Sequence, residues 1–467
     1  MDAEYYQPIY LELNKELQQY KTKIISSIGK VTDGEHGSVE LLNGGIKYLT
    51  AENIKNGFVD INSVRYVSKD VDERNKRARV QVGDILISIK GTLGEIAVAD
   101  ESLLPANMNR DVAIIKPYSN ELNSKYIAVF LMSRIGNLQA IREGSGGVQQ
   151  MITLGRLGNI KIPVLSSDFQ ILIESVFDKF NSVRNKSLKK YSQSEKILLA
   201  ELGLTNWQPK HQLTFIKNYS ATQQAGRIDA EYFQPKYDEI IKAIKNYSGG
   251  WDTLDNLVRI KKCIEVGSGQ YIDEGIPFVR VSNISPFEMT EEKYISEELY
   301  KELTPNEEDI PFEKSKNHQP EQGEILFSKD GSPGIAYYLK EQPPKMIPSG
   351  GILRLKSKTD KINNEYLTLV LNSILTQEQV NRDVGGSIIL HWRPDQVKET
   401  VIPILSEEKQ LEIRQKVTES FNLRKRSKHL LESAKKAVEM AIEQDEETAI
   451  TWLQKEMQNL GAADTDG

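Results

Sequence analysis

Two glycine-rich turns in this sequence place a lysine beside small polar residues, a combination that can hold phosphate. They are Lys90-Gly91-Thr92-Leu93-Gly94 and Lys329-Asp330-Gly331-Ser332-Pro333-Gly334, and each follows an apolar segment typical of a strand. Backbone N–H groups in such turns can bind anions. Neither segment matches the P-loop pattern, so an ordinary hairpin turn is the competing interpretation.

Residues that could catalyse a reaction form no recognisable group. The sequence has no Walker A motif, no Gly-x-Ser-x-Gly elbow, no Asn-Pro-Pro-Tyr/Phe methyltransferase loop and no Asp…Glu-x-Lys nuclease core. The cysteine Cys263 stands alone, and the histidines lack metal-ligand spacing: His36, His211, His318, His391 and His429. We therefore expect a chain that is not an enzyme, with no catalytic residue, metal or cofactor of its own.

The elements that would position the polar residues occur twice. The segment Asp2-Ala3-Glu4-Tyr5-Tyr6-Gln7-Pro8 returns as Asp229-Ala230-Glu231-Tyr232-Phe233-Gln234-Pro235. In the same order, Gly83-Asp84-Ile85-Leu86 returns as Gly323-Glu324-Ile325-Leu326. Such a long repeat indicates a duplicated domain and not a solenoid. The residues between Asn53 and Gly83 share little with those between Asn283 and Gly323, which is what two related but different recognition tasks would need.

A long amphipathic helix is predicted after each copy, over residues 168–204 and 409–443, because apolar residues recur there at spacings of three and four. Each would reach about 50 Å. A two-fold relation between the copies favours an antiparallel coiled coil. The alternative is that each helix only folds back on its own globular part. The residues expected in the pairing are Val176, Phe180, Val183, Tyr191, Val417, Phe421, Leu431 and Val438.

The sequence thus predicts an α+β fold with two tandem mixed α/β domains, each followed by a long helix. The expected boundaries are 1–165 for the first domain, with a separate N-terminal segment 1–20, and 166–226 for the first helix and a linker. The second domain is expected over 227–405, the second helix over 406–445, and a partly disordered acidic tail over 446–467.

Composition limits the function further. The formal net charge of -6 is unfavourable for binding nucleic acid, but the local field decides, and Arg424-Lys425-Arg426 shows that charge is uneven. No run approaches 18 apolar residues, which excludes a membrane span. The start Met1-Asp2-Ala3-Glu4 is not a secretion leader, and a single cysteine fits a reducing compartment, so we expect a cytoplasmic protein.

An ordered series of short motifs resembles the specificity subunit of type I restriction-modification systems. It comprises Thr32-Asp33-Gly34-Glu35-His36, Gly45-Ile46-Lys47-Tyr48-Leu49, Gly83-Asp84-Ile85-Leu86-Ile87-Ser88, a Gly-Gly-x-Gln segment and Ile162-Pro163-Val164 before a long helix. The resemblance extends from Asp2 to about Glu443 and recurs in both halves. The second copy departs at Glu265-Val266-Gly267-Ser268-Gly269-Gln270-Tyr271, so a role of His36 cannot be transferred there.

The resemblance implies that each globular half is a target recognition domain for one part of a split, asymmetric double-stranded DNA sequence. It implies that the helices space these domains and dock two modification (methyltransferase) subunits and the restriction/translocase subunits. S-adenosylmethionine, ATP and Mg²⁺ would then belong to those partners. Two alternatives stay open: a duplicated DNA-processing enzyme with a divergent active site, and a scaffold that binds protein and not DNA.

Candidate DNA contacts follow from the chemistry of base and phosphate recognition, which uses polar and basic side chains on loops. Ordinary surface or turn positions are the competing interpretation for each residue, and a turn cap is the alternative for His36. In the first copy they are Asp33, His36, Lys90, Thr92, Asn107, Arg110, Gln149 and Gln150. In the second copy they are Gln270, Tyr271, Lys329, Ser332, Ser349, His391, Trp392 and Arg393.

Overall fold

The computed structural model describes residues 5, 7–91, 93–118, 122–144, 151–385 and 389–462. The chain divides into two compact units: unit 1 comprises Met1–Lys186 with Leu423–Gly467, and unit 2 comprises Ser187–Asn422. Among the described residues, every helix is either too short or too polar to span a bilayer. Helices and strands are mixed in both units, which confirms the predicted α+β class.

Unit 1 is built on a four-stranded antiparallel sheet. The strand order is Gly29–Asp33, Val112–Pro117, Ile85–Ser88 and Ile96–Val98. One face of the sheet packs against the apolar helix Ser124–Met132, in a core that contains Ile85, Ile87 and Phe130. The other face packs against a three-stranded sheet with the order Arg65–Val67, Ile46–Leu49 and Ala106–Met108.

The remaining elements of unit 1 are short and connect these layers. The strands are Thr22–Ile24, Ile54–Lys55, Phe58–Val59 and Lys161–Pro163. The α-helices are Pro8–Gln18, Ile25–Ile28, Lys69–Arg74, Arg134–Glu143 and Leu154–Gly158, and the 3-10 helices are Ala51–Asn53, Lys76–Ala78 and Glu101–Leu103.

Unit 2 repeats this topology. Its four-stranded sheet has the order Val258–Lys262, Ile352–Ser357, Ile325–Ser328 and Ala336–Tyr338, and its three-stranded sheet has the order Tyr294–Ile295, Ile276–Val279 and Ile347–Pro348. The other strands are Trp251–Thr253, Asp330–Gly331, Leu390–His391 and Val401–Pro403. The helices are Tyr219–Ala225, Pro235–Lys245, Leu254–Leu257, Ser268–Gln270, Val281–Asn283, Glu297–Leu303, Asn364–Asn372, Ile374–Asp383 and Pro394–Lys398.

Matching hydrogen bonds fix the start of the long helix in each unit. Tyr126 donates from its hydroxyl to the carbonyl of Pro163 over 2.8 Å, and Tyr366 donates to Pro403 over 2.9 Å. Likewise, the buried amides of Gln170 and Gln410 donate to Leu165 and Leu405 over 2.9 Å. Buried polar groups need such partners, so both copies solve the same packing problem with the same residues.

The long helices are Ser167–Glu201 and Glu407–Glu443, close to the predicted bounds. Within unit 1, the first of them contributes Val176, Phe180 and Val183 to a core that also contains Leu431 and Val438 of the second. Ser166, just before the first helix, donates its backbone N–H to the carboxylate of Glu446, just after the second. Further along the first helix, Phe180 lies beside Gly57, and so does Leu431 of the second helix. These contacts run in opposite chain directions, so the helix segments of unit 1 are antiparallel.

The helix segments of unit 2 pack in the same sense. Ser187 and Ser420 each donate a hydroxyl hydrogen bond to the other's carbonyl over 2.8 Å. Further along, Glu201 pairs with Lys409 at 3.4 Å. Val417 is buried in the core of unit 2, with Tyr191 and Phe421 partly buried against it. Their assignment to a coiled coil, with knobs-into-holes geometry, stays a prediction.

The acidic tail differs from the expected partly disordered segment over its described part. Residues Glu446–Ala462 form a helix that buries Ala449 and Leu453 in the core of unit 1. Lys436 lies 4.9 Å from the ring of Trp452 in this helix. Apolar residues at helical spacing within the acidic segment explain the packing.

Candidate nucleic-acid interface

A cleft lined by both apolar and charged side chains lies at the end of the main sheet of unit 1. It has a volume of 630 Å³ and is lined by Asp33, His36, Ile89, Lys90, Arg110, Asp111, Met151, Ile152, Thr153 and Leu154. The backbone bridge between Lys90 and Met151 brings two distant loops to its wall. Four of the sequence-predicted residues therefore meet here: Asp33, His36, Lys90 and Arg110.

Asp33 is the buried anchor of this cleft. Its side chain is only 10% exposed, and its carboxylate lies 2.8 Å from Nε2 of His36 and 3.1 Å from Nη1 of Arg77. His36 itself is 58% exposed. The adjacent Gly34 packs so closely on the carbonyl of Met108 that a Cβ would lie 1.9 Å from that oxygen. Glycine is therefore required for the strand to turn into the cleft at this point.

The neighbouring loop carries Arg110 as an exposed cation. Arg110 donates its backbone N–H to the carbonyl of Glu35 over 3.0 Å, which holds the loop against the first strand. The hydrogen bond from Asn75 is the main cause that lowers the pKa of the Glu35 carboxyl, and the backbone N–H of Gly37 adds to it. Nζ of Lys90 lies 3.9 Å from the carboxylate of Asp111, and the Lys90 side chain is 28% exposed.

Unit 2 carries different side chains on the corresponding loops. The N–H of Ile152 bonds the carbonyl of Ile89, and the N–H of Trp392 bonds the carbonyl of Lys329 in the same way. Accordingly, Met151 of unit 1 corresponds to His391, and Lys90 corresponds to Asp330. This register agrees with the alignment of Gly83 with Gly323, and it places a carboxylate in unit 2 where unit 1 has an ammonium group.

Exposed candidates on the corresponding loops of unit 2 are His391, Arg393 and Ser332. Nδ1 of His391 lies 2.9 Å from Asp330, and His391 is 60% exposed. Arg393 precedes the helix Pro394–Lys398 and pairs with Asp395 at 3.1 Å. His391 and Arg393 line a cleft of 770 Å³, whereas Lys329 is 16% exposed and paired with Asp330.

Three candidates have little or no surface that a base could reach. Asn107 is fully buried and donates to Asp72 over 2.9 Å, so its amide is used inside unit 1. Trp392 is 1% exposed and packs edge-on against Phe327, in the position that Ile152 occupies in unit 1. Ser349 is 4% exposed. We drop these three from the interface, because burial keeps them from DNA.

The remaining candidates either do not line the two clefts or lie outside the described residues. Gln270 is exposed but accepts the N–H of Gly267 over 3.2 Å, and the ring of Tyr271 packs 5.7 Å from that of Phe278. Thr92, Gln149 and Gln150 lie outside the described residues.

Arg77, which pairs with the cleft residue Asp33, is a residue that sequence reasoning missed. Besides its contact with Asp33, it donates to the carbonyl of Gly34 over 3.1 Å. The available signal was the basic run Lys76-Arg77-Ala78-Arg79, which lies in a stretch with little similarity between the copies. Among the described residues, no group of three or more His, Cys, Asp or Glu side chains is placed to hold a metal ion.

The two units share one sheet topology, and each carries charged side chains on loops at one end of its main sheet. The family model for the type I restriction modification DNA specificity domain matches residues 18–197 and 273–433. The chain belongs to this family.

Individual relatives are distant. The chain is 25% identical over 167 residues to the type I restriction enzyme EcoBI specificity subunit of Escherichia coli, which covers 34% of this chain and 35% of the relative. It is 24% identical over 186 residues to the type I restriction enzyme EcoR124I/EcoR124II specificity subunit of Escherichia coli. That match covers 39% of this chain and 45% of the relative. The chain thus spans less than half the length of these curated relatives.

Comparison with solved structures finds weak matches, among them the S subunit of a type I restriction-modification system from M. genitalium. That match has a TM-score of 0.38 and 13% identity, and it covers 93% of this chain and 96% of the other. The HsdS subunit from Thermoanaerobacter tengcongensis matches with a TM-score of 0.29 and 14% identity, covering 91% and 97%.

Proposed function

We propose that this chain is the DNA-reading subunit of a type I restriction-modification complex. In this proposal, each unit contacts one part of a bipartite, asymmetric target in double-stranded DNA. The observation that carries the proposal is the duplicated fold with unlike polar loops at corresponding positions. A shared scaffold gives both units one way to approach a groove, and unlike side chains give each unit its own base preference.

The proposed contacts in unit 1 are His36, Lys90 and Arg110, together with the predicted Thr92, Gln149 and Gln150. In unit 2 they are Ser332, His391, Arg393 and Gln270. His36, Lys90 and Arg110 line the cleft of unit 1, and His391 and Arg393 line that of unit 2, which supports these members. Ser332 and Gln270 are supported by their exposure alone. The proposed domain limits are 1–165 and 227–405. Two such domains would place the parts of the target about one helical turn apart, roughly 34 to 36 Å.

The proposed partners are two modification subunits and the restriction subunits, which would carry S-adenosylmethionine, ATP and Mg²⁺. The long helices are the proposed spacers and docking elements, because their paired segments leave charged outer faces along more than 30 residues each. The proposed location is the cytoplasm, because the single cysteine, Cys263, is free and fits a reducing compartment.

The decisive test asks whether each unit reads only one part of the target. The full chain, assembled with the modification subunits that its host encodes, is incubated with randomised duplexes, and the bound duplexes are sequenced. Replacing Lys90 and Arg110 by Ala should relax or weaken recognition of one part only, and replacing His391 and Arg393 should affect only the other. Each lost base contact costs about 1 to 3 kcal/mol of discrimination.

Matched controls separate base contacts from phosphate contacts. A lost phosphate contact lowers the affinity for all sequences and reduces the salt dependence of binding. The exposed pair Lys345 and Glu297 lies in unit 2 away from the cleft, so Lys345→Ala should change neither part of the target. If either cleft variant altered both parts while the protein stayed folded, the two-domain proposal would fail.

A further inference from the structure

Each unit has an exposed histidine held by an aspartate at the polar end of its main sheet. We define the Asp33 cluster as Arg77, Asp33 and His36, and the Asp330 cluster as Lys329, Asp330 and His391. In both clusters the aspartate lies between a cation on one side and an imidazole on the other. Both histidines line a cleft of their unit and are 58% and 60% exposed.

The two clusters are not copies of each other. Strand pairing aligns Ile114 with Thr32 in unit 1 and Arg354 with Lys261 in unit 2, so Asp33 corresponds to the next residue, Lys262. Asp330 corresponds to Lys90 instead. The same arrangement of cation, carboxylate and imidazole is therefore built from different sequence positions, at the same end of the same sheet. Duplication alone does not produce this likeness, which points to a shared use.

The carboxylates determine what the imidazoles can offer to a ligand. Asp33 contacts Nε2 of His36, and Asp330 contacts Nδ1 of His391, at 2.8 and 2.9 Å. In a neutral ring, the nitrogen that faces a carboxylate carries the hydrogen, so the other nitrogen is an acceptor. On the side away from the imidazole, each carboxylate pairs with a cation, Arg77 in unit 1 and Lys329 in unit 2.

We propose that His36 and His391 are specificity-determining residues, each accepting a hydrogen bond from the exocyclic amino group of adenine or cytosine in the major groove. Asp33 and Asp330 are positioning residues that fix the ring and its tautomer. An acceptor distinguishes bases in this groove, because adenine N6 and cytosine N4 are its amino donors. This inference rests on the proposed DNA-reading function and assigns one base contact to each unit.

The test uses base analogues that lack only the amino group. Once the target has been selected by the full complex, each adenine in it is replaced by unsubstituted purine and each cytosine by pyrimidin-2-one, one position at a time. Affinity is measured at about pH 8.5, on the alkaline side of the histidine titration range. One position in each part should lose about tenfold in affinity, as expected for a single base contact.

Substitutions assign these penalties to the two histidines. His36→Ala should abolish the analogue penalty in the part read by unit 1 and leave the other penalty intact, and His391→Ala should do the reverse. Two other exposed histidines beside glutamates are the matched controls: His429→Ala in unit 1 and His211→Ala in unit 2 should preserve both penalties. Because His36 and His391 are exposed, their replacement by Ala should not unfold the protein. A lost penalty would therefore report the lost base contact.

The aspartates are tested by a rescue. Asp33→Ala frees the ring and should abolish the penalty in the part read by unit 1, whereas Asp33→Asn keeps an oxygen acceptor and should retain it. A merely structural role would lower affinity for all duplexes without changing the penalty. If the complex selects a bipartite target but both penalties survive in His36→Ala and His391→Ala, this inference is wrong and the proposed function stands. If no bipartite target is selected, the proposed function itself fails.

Discussion

Replacing Arg354 by Met should strongly destabilise unit 2, because Arg354 is the sole ion-pair partner that the described structure gives to Glu324. The two side chains are 2% and 0% exposed, and the guanidinium donates to the two carboxylate oxygens over 2.7 and 2.8 Å. A third hydrogen bond, over 2.9 Å, reaches the carbonyl of Asn317. Arg354→Met would leave a buried carboxylate without compensation, which costs about 3 to 5 kcal/mol.

Unit 1 shows why the pair is specific to unit 2. Ile114 pairs with Leu86 where Arg354 pairs with Leu326, so an apolar residue fills the position of the arginine. Asp84 of unit 1 is instead held by Lys116 at 2.8 Å. Replacing both members of the unit 2 pair, as Arg354→Met with Glu324→Leu, should therefore recover most of the lost stability, since apolar residues can substitute for a buried ion pair.

Urea unfolding followed by tryptophan fluorescence measures this effect, because Trp392 is buried in the core of unit 2. The control is Lys356→Met, since Lys356 and its partner Glu321 are 46% and 61% exposed. Such a surface pair contributes at most about 1 kcal/mol. A loss of less than about 1 kcal/mol for Arg354→Met would refute the argument, because it would mean that Glu324 tolerates burial without its partner.

Two further predictions concern the histidine of this region and the long helices. Burial, followed by the charges of Lys261 and Arg354, lowers the pKa of His318 to about 4. Because this folded-state pKa is depressed, the contribution of His318 to stability is present above about pH 6.5 and is lost as pH falls toward 4. In His318→Gln, urea midpoints measured over this range should depend less on pH than in the parent. Inserting seven residues after Ser187 and seven after Ser420 should lengthen the gap in the selected DNA target by about 10 Å, roughly three base pairs, and leave both parts unchanged. An altered base preference with a constant gap would show that the helices are not spacers.

Much of the fold was predictable because its framework is apolar and occurs twice. Strands such as Ile85–Ser88 and the helix Ser167–Glu201 bury regular apolar patterns, which appear directly in the sequence. The predicted hairpin after Gly83 is confirmed, with Gly91 and Gly94 at positive φ in its turn. The duplicated order of anchors likewise predicted the common topology of the two sheets.

The roles of individual polar residues were less predictable, because they depend on strand register. Asn107 lies in a strand whose three residues are all buried, so its side chain serves packing. Trp392 follows His391 by one residue and points into the core, as alternation along an extended chain requires. The pairing of Lys90 with Met151 and of Asp330 with His391 joins loops that are distant in the sequence, which local motifs do not reveal.

The target sequence itself tests the central claim most directly. The host genome is sequenced for methylated positions with the gene for this chain intact and deleted, and the sequence lost on deletion is aligned. The account predicts an asymmetric target of two short specified parts, separated by unspecified base pairs at a fixed spacing. A continuous or palindromic target, or no lost methylation, would contradict the claim that the two units of this chain each read one part of a split DNA site.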